Sequence, residues 1–229
     1  MHFGDRGPRD APQAGRCAEE HPRLLAHLAE VVTAGDVFVD AGANTGFFAV
    51  PLAKLVGSAG RVLAFEPAAD AAHLLRMRAR AEGLLSRMTI YELALGTDDG
   101  SGILRADPGH PEDSTKRSLF ISNGPAVAEV PVRSFDRLVA SGAIDLANGL
   151  HAIKVDVEGA EMHVLSGMRQ SIERHRPRMI VVETIETHLR RADSTVSDVR
   201  TFMGELGYAP IDDRRGDGPL ELNAVFVPA

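Results

Sequence analysis

Short apolar runs, separated by amphipathic stretches and small-residue turns, set the pattern of this chain. Leu24, Leu25, Leu28, Val31 and Val32 fall on one helical face, so 19–32 reads as a lead-in helix. Val37-Phe38-Val39 then ends in Asp40, and Val62-Leu63-Ala64-Phe65 ends in Glu66. Each run has the length of a strand buried on both faces. Between them, Phe47, Phe48, Leu52 and Leu55 are spaced for a helix over 47–56. The same periodicity predicts helices over 68–85, 158–174 and 195–206, and Ser134 caps another that carries Phe135, Leu138 and Val139. Further strands are expected at 88–94, 152–157, 178–183, 208–211 and 223–227, the last two joined across a polar turn at 212–218.

Strands that alternate with helices form a parallel sheet with helices on both faces, and the terminal hairpin adds one antiparallel strand. The pattern fades over 97–131, where Gly, Pro, Asp and Ser are frequent and only 118–121 and 128–132 read as short strands. A loop that long inside a folded domain is a functional or mobile element. The expected organisation is a flexible segment at 1–18 and one domain over 19–229, with 97–131 as its variable loop.

Four acids, Asp40, Glu66, Asp156 and Glu183, each terminate a different apolar strand. Open parallel sheets bind ligands beyond those carboxyl ends. One such acid is explained by helix capping, whereas four on separate strands point to a shared ligand crevice. Gly42-Ala43-Asn44-Thr45-Gly46 forms the turn after the first of these strands. Its glycines let backbone approach a ligand, and Asn44 tolerates the left-handed conformation. Glu66, twenty residues beyond Gly46, is placed to grip ribose hydroxyls. The turn is neither G-x-G-x-x-G nor a P-loop, since no Lys-Ser or Lys-Thr follows it. A nucleoside-type cofactor is the expected ligand.

Composition narrows the partners. The chain has 229 residues and a formal net charge of −7, which disfavours a partner held through phosphates. It has no tryptophan and no basic tract, so no nucleic acid is expected. Cys17 is the single cysteine, in keeping with a reducing cytoplasm. No apolar stretch approaches the ~18 residues of a membrane span, and the polar N-terminus lacks the apolar core of a signal peptide. The partner expected is a small molecule, and nothing in the sequence fixes an oligomeric state.

Asp40-Ala-Gly-Ala-Asn-Thr-Gly46, Phe65-Glu66-Pro67, Ala94-Leu95-Gly96 and Val132-Arg-Ser-Phe-Asp136 occur in that order. They are followed by Ile153-Lys-Val-Asp-Val-Glu-Gly-Ala-Glu161, Leu165-Ser-Gly167 and Val182-Glu183. This series resembles the FkbM family of S-adenosylmethionine-dependent methyltransferases over about 36–227. The resemblance implies the class I methyltransferase (Rossmann-like) α/β fold, a mostly parallel seven-stranded sheet whose last strand is antiparallel. It also implies methyl transfer, usually to oxygen, often on bacterial natural products or sugars.

The cofactor implied is S-adenosyl-L-methionine. Asp40, Gly42, Asn44 and Gly46 are expected at its methionine end, Glu66 at the ribose, and Ala94 and Leu95 near adenine, with Pro67 also among the cofactor-binding residues. Asp156 is expected beside the transferred methyl as the first candidate for a base, with Glu183 and His188 orienting the acceptor or taking its proton. Glu158 is expected to stabilise the first turn of its helix, and Lys154 and Glu161 to form a structural ion pair. Asp156 and Glu183 are hard oxygen donors of the kind that hold Mg²⁺, but no further ligand is evident and no metal is predicted. The rival readings are a nicotinamide-dependent oxidoreductase on a similar sheet and a cofactor-binding protein without catalysis.

Overall fold

The computed structural model describes residues 13–113, 116–211, 220 and 222–229. Its central sheet is built from β1 (Val37–Ala41), β2 (Arg61–Phe65), β3 (Met88–Tyr91), β8 (Ala152–Val155), β9 (Met179–Glu183), β10 (Tyr208–Ile211) and β11 (Asn223–Pro228). The strand order is β10-β11-β9-β8-β1-β2-β3. β1, β2, β3, β8 and β9 are mutually parallel, and β11 enters antiparallel to β9. This is the seven-stranded arrangement expected from the sequence. The 212–218 turn of the terminal hairpin and the 1–12 part of the N-terminal segment lie outside the described residues.

Alternation along the central strands divides the core in two. Val37, Val39, Ile153, Val155, Ile180 and Val182 turn to one face, covered by α4 (Phe135–Ala140), α5 (Glu161–Gly167), α6 (Arg169–His175) and α8 (Val196–Glu205). Phe38, Val62, Ala64, Ala152, Met179 and Val181 turn to the other. That face is covered by α1 (Gln13–Val31), α2 (Ala49–Leu55) and α3 (Ala69–Ala81). β1 lies where the connections reverse direction, with β2 on one side and β8 on the other. The crevice at the carboxyl ends of β1 and β8 is therefore the ligand position that topology favours.

Several boundaries differ from the sequence expectation. The helix expected over 158–174 is two short helices that meet at Met168, whose φ of −111° and ψ of 0° break the helical path. The third strand ends at Tyr91, and Ala94–Leu95 (β4) joins another sheet. That second sheet is the largest departure. β5 (Gly100–Ala106), β6 (Arg117–Ser118) and β7 (Ala126–Arg133) turn most of 97–131 into a four-stranded sheet in the order β4-β7-β5-β6. Its cluster of Ala68, Ala71, Ala94, Leu104 and Val130 is too small to give a clear two-residue alternation, and five of the eight residues of β7 are exposed. The Ser134 cap is as expected, with its hydroxyl accepting from the Arg137 amide.

Candidate active site

A cavity of about 570 Å³ opens at the carboxyl ends of β1, β2, β8 and β9. Its wall takes nine of the eleven residues expected at the site: Gly42, Asn44, Glu66, Pro67, Ala94, Leu95, Asp156, Glu183 and His188. Asp40 and Gly46 lie behind that wall. Asp40 is 1% exposed and points into the α1/α2 side of the core, beside its cross-strand neighbour Lys154. A side chain on Gly46 would meet Leu75 at 2.3 Å, so this glycine admits helix α3.

The floor depends on a close backbone approach. A Cβ on Gly42 would stand 1.8 Å from the Asp156 carbonyl oxygen, and the Asp156 amide donates to Ala41 O at 3.0 Å. Gly42 also has φ +83°. The Gly42 and Ala43 amides both donate to Phe65 O at 3.0 Å, so those two N–H groups hold the turn itself. Asn44 takes φ +46°, and its side-chain oxygen accepts from the Thr45 amide at 2.7 Å.

Glu66 is anchored at both oxygens. One accepts from the Asn44 amide and the other from the Ala68 amide, each at 2.8 Å. Burial nevertheless pushes its carboxyl up to about 7. Each oxygen keeps a second lone pair, and the residue lines the cavity. This is the acceptor pair that two vicinal hydroxyls require.

Lys154 is only 2% exposed, and its ammonium pairs with Asp156 at 2.9 Å while lying over the Phe48 ring at 4.6 Å. The expected Lys154–Glu161 pair is therefore corrected. Strand alternation puts residues 154 and 156 on one face, and no helix intervenes. Glu161 instead accepts from the Val157 and Gly159 amides, both at 3.1 Å, and fixes the turn that follows β8. Although burial opposes charge on Asp156, the Lys154 ammonium holds its carboxyl below the usual range.

Glu158 is also corrected. It precedes α5, takes φ +59°, and turns its carboxylate to His188 instead of capping a helix. His188 Nδ1 lies 3.1 Å from Glu158 and 3.2 Å from Glu183. Burial, then repulsion from neighbouring acids, pushes the Glu158 and Glu183 carboxyls well above their ordinary values. Burial also lowers His188, against the pull of Glu158.

His21 reaches the cavity from α1 and Arg117 from β6, neither singled out in the sequence, and Arg191 from the 3-10 turn Arg190–Ala192, where the basic pair Arg190-Arg191 is expected near the acceptor side. Arg117 pairs with Asp70 at 2.6 Å, and Arg191 with Asp107 at 3.5 Å. His21 and Arg117 sit in no local motif, and only the tertiary fold brings them in.

Comparison with known proteins places this geometry. A family model described as the methyltransferase FkbM domain matches residues 40–210. The hexuronic acid methyltransferase AglP of Haloferax volcanii is 32% identical over 158 residues, which are 66% of this chain and 56% of that protein. This chain thus spans little more than half the length of that relative. Methyltransferase 1 of Beauveria bassiana is 23% identical over 82% of this chain and 78% of its own. Among solved structures, magnesium protoporphyrin IX methyltransferase (ChlM) from Synechocystis PCC 6803, with bound SAM, superposes with a TM-score of 0.52 at 12% identity. That superposition covers 98% of this chain and 87% of that one, and it supports the class I fold. With the family model extending from Asp40 at the end of β1 to Pro210 in β10, the chain belongs to the FkbM family of S-adenosylmethionine-dependent methyltransferases.

Proposed function

We propose that this protein transfers the methyl group of S-adenosylmethionine to an oxygen of a small, sugar-like acceptor. The observation that carries this reading is the shared cavity wall, with Glu66 at one end and Asp156, Glu183 and His188 at the other. The residues fit the donor: Gly42 lets the turn close against the Asp156 backbone to form the floor, and both Glu66 oxygens are fixed by backbone amides at the cavity wall. The closest support for the acceptor class is that AglP, a relative, is a hexuronic acid methyltransferase.

When bound, the cofactor supplies an electrophilic methyl on a sulfonium. Glu66 holds the ribose, Ala94 and Leu95 line the adenine end, and the 42–46 turn bounds the methionine end. Asp40 acts from behind the wall, sharing the Lys154 charge with Asp156. Alignment of donor and acceptor supplies much of the rate, of order ~7–11 kcal/mol in well-oriented systems. Asp156, paired with Lys154, is a weak base and serves to accept a hydrogen bond that aims the acceptor. The cluster of Glu158, Glu183 and His188 activates the acceptor oxygen for loss of its proton.

The test is methyl transfer from methyl-labelled S-adenosylmethionine to a panel of uronic acids, neutral sugars, amines and RNA. Label on a sugar oxygen supports the proposal. Label only on amines or RNA contradicts it.

A further inference from the structure

We propose that Glu158, Glu183 and His188 form a binding site for an octahedral divalent cation of the Mn²⁺ or Mg²⁺ class, which holds and activates the acceptor oxygen. This deepens the methyltransferase reading and rests on it. The geometry comes first. One ligand atom from each of the three residues lies within 4.8 Å of the other two. At metal–ligand distances of about 2.1 Å, adjacent octahedral ligands stand ~3.0 Å apart. His188 Nδ1 stands 3.1 Å and 3.2 Å from the two carboxylate oxygens. Two carboxylates and one imidazole suit Mn²⁺ well, since it accepts both donor types.

Burial adds to the geometry. Asp156, Glu158, Glu161 and Glu183 act on one another here, against the permanent cations Lys154 and Arg191. Carboxyls gathered out of water around so few cations repel one another, and a bound cation relieves that repulsion. Glu161 is fully buried, and its second oxygen has no hydrogen-bond partner among the described residues. It places a buried acceptor atom beside the three ligands.

The backbone fixes the ligand spacing. A Cβ on Gly159 would come within 2.4 Å of the His188 carbonyl oxygen, so the turn carrying Glu158 rests directly on the helix carrying His188. All three ligands line the cavity, which leaves the remaining coordination positions open to an acceptor hydroxyl and a neighbouring oxygen. A hydroxyl bound there ionises more readily, and its proton leaves to water. The oxygen then forms its bond to carbon as the carbon–sulfur bond breaks. That electron pair stays on sulfur, which becomes a neutral thioether.

The experiment titrates the chelator-treated full chain with Mn²⁺, following loss of the free-ion EPR signal, and repeats the titration by calorimetry. One site per chain is expected, at the cluster where the three ligand atoms meet. Glu158→Gln and Glu183→Gln should each weaken binding by about tenfold or more, as loss of a ligand must exceed the loss of an outer-shell partner. No binding at millimolar Mn²⁺, or affinity in both variants equal to that of the unaltered chain, overturns the proposal. If a variant fails to fold, the Mn²⁺ stoichiometry of the unaltered chain and its displacement by excess Mg²⁺ decide the matter. S-Adenosylhomocysteine is titrated into the same metal-free sample. Its binding there would leave the methyltransferase reading standing even if the cation arm fails.

Discussion

Replacing Glu66 with Gln tests the cofactor grip through two opposed effects. Burial holds the carboxyl at about 7 against an ordinary 4.5. At about 1.4 kcal/mol per pKa unit, ionised Glu66 costs the folded protein about 3 kcal/mol at high pH. The folded value is the raised one, so stability from this group is full below pH 4.5 and is lost as pH rises through about 7. Gln removes that cost. It also has only one oxygen for the two amides of Asn44 and Ala68, and an unmet amide costs ~1–3 kcal/mol. The two nearly cancel, so the variant should melt near the parent at about pH 8.

Donor affinity should behave differently. The ionised carboxylate accepts both ribose hydroxyls, and a hydrogen bond to a charged group contributes ~1.5–3 kcal/mol. S-Adenosylhomocysteine should therefore bind the variant at least ~10-fold more weakly at about pH 8. Binding by the parent should weaken ~10-fold from about pH 8 to pH 6, as Glu66 takes up its proton, and this slope should vanish in the variant. Calorimetric titration of both proteins at the two pH values is the assay. A parent affinity that does not change with pH, or a variant within twofold of it at about pH 8, refutes the ribose role of Glu66.

Gly42→Ala must take φ +83° and drive its methyl into the Asp156 carbonyl. Left-handed strain of ~1–2 kcal/mol and overpacking of ~1–3 kcal/mol should appear together in urea unfolding. Parent-like stability would show that the floor relaxes freely. Lys154→Met leaves buried Asp40 and part-buried Asp156 without their cation and should cost ~3–5 kcal/mol, read from the same unfolding curves. Glu183→Gln should lower turnover ~10²–10⁴-fold while donor affinity stays within twofold. A loss confined to donor binding would contradict the placement of Glu183 on the acceptor side.

The sheet was legible because buried parallel strands write themselves as unbroken apolar runs. The same runs located the strand-end acids Glu66, Asp156 and Glu183. Pairings across the fold were not legible. Lys154 partners Asp156 because strand alternation sets them on one face, two residues apart. Glu158 leaves the helix because Gly159 and Glu161 together hold a left-handed turn, which has no one-residue signature. In the 97–131 region the strand expected at 128–132 lies within β7 and that at 118–121 only touches β6, while β5 was hidden because a half-exposed sheet carries little apolar periodicity. His21 and Arg117 reach the cavity from segments distant in sequence, so no local pattern announces them.

The central claim is that this cavity holds S-adenosylmethionine. Calorimetric titration of the full chain with S-adenosylhomocysteine, alongside NAD⁺, tests it most directly. Micromolar binding of the first and none of the second is the predicted result. Binding of NAD⁺, or silence from S-adenosylhomocysteine, would contradict the account.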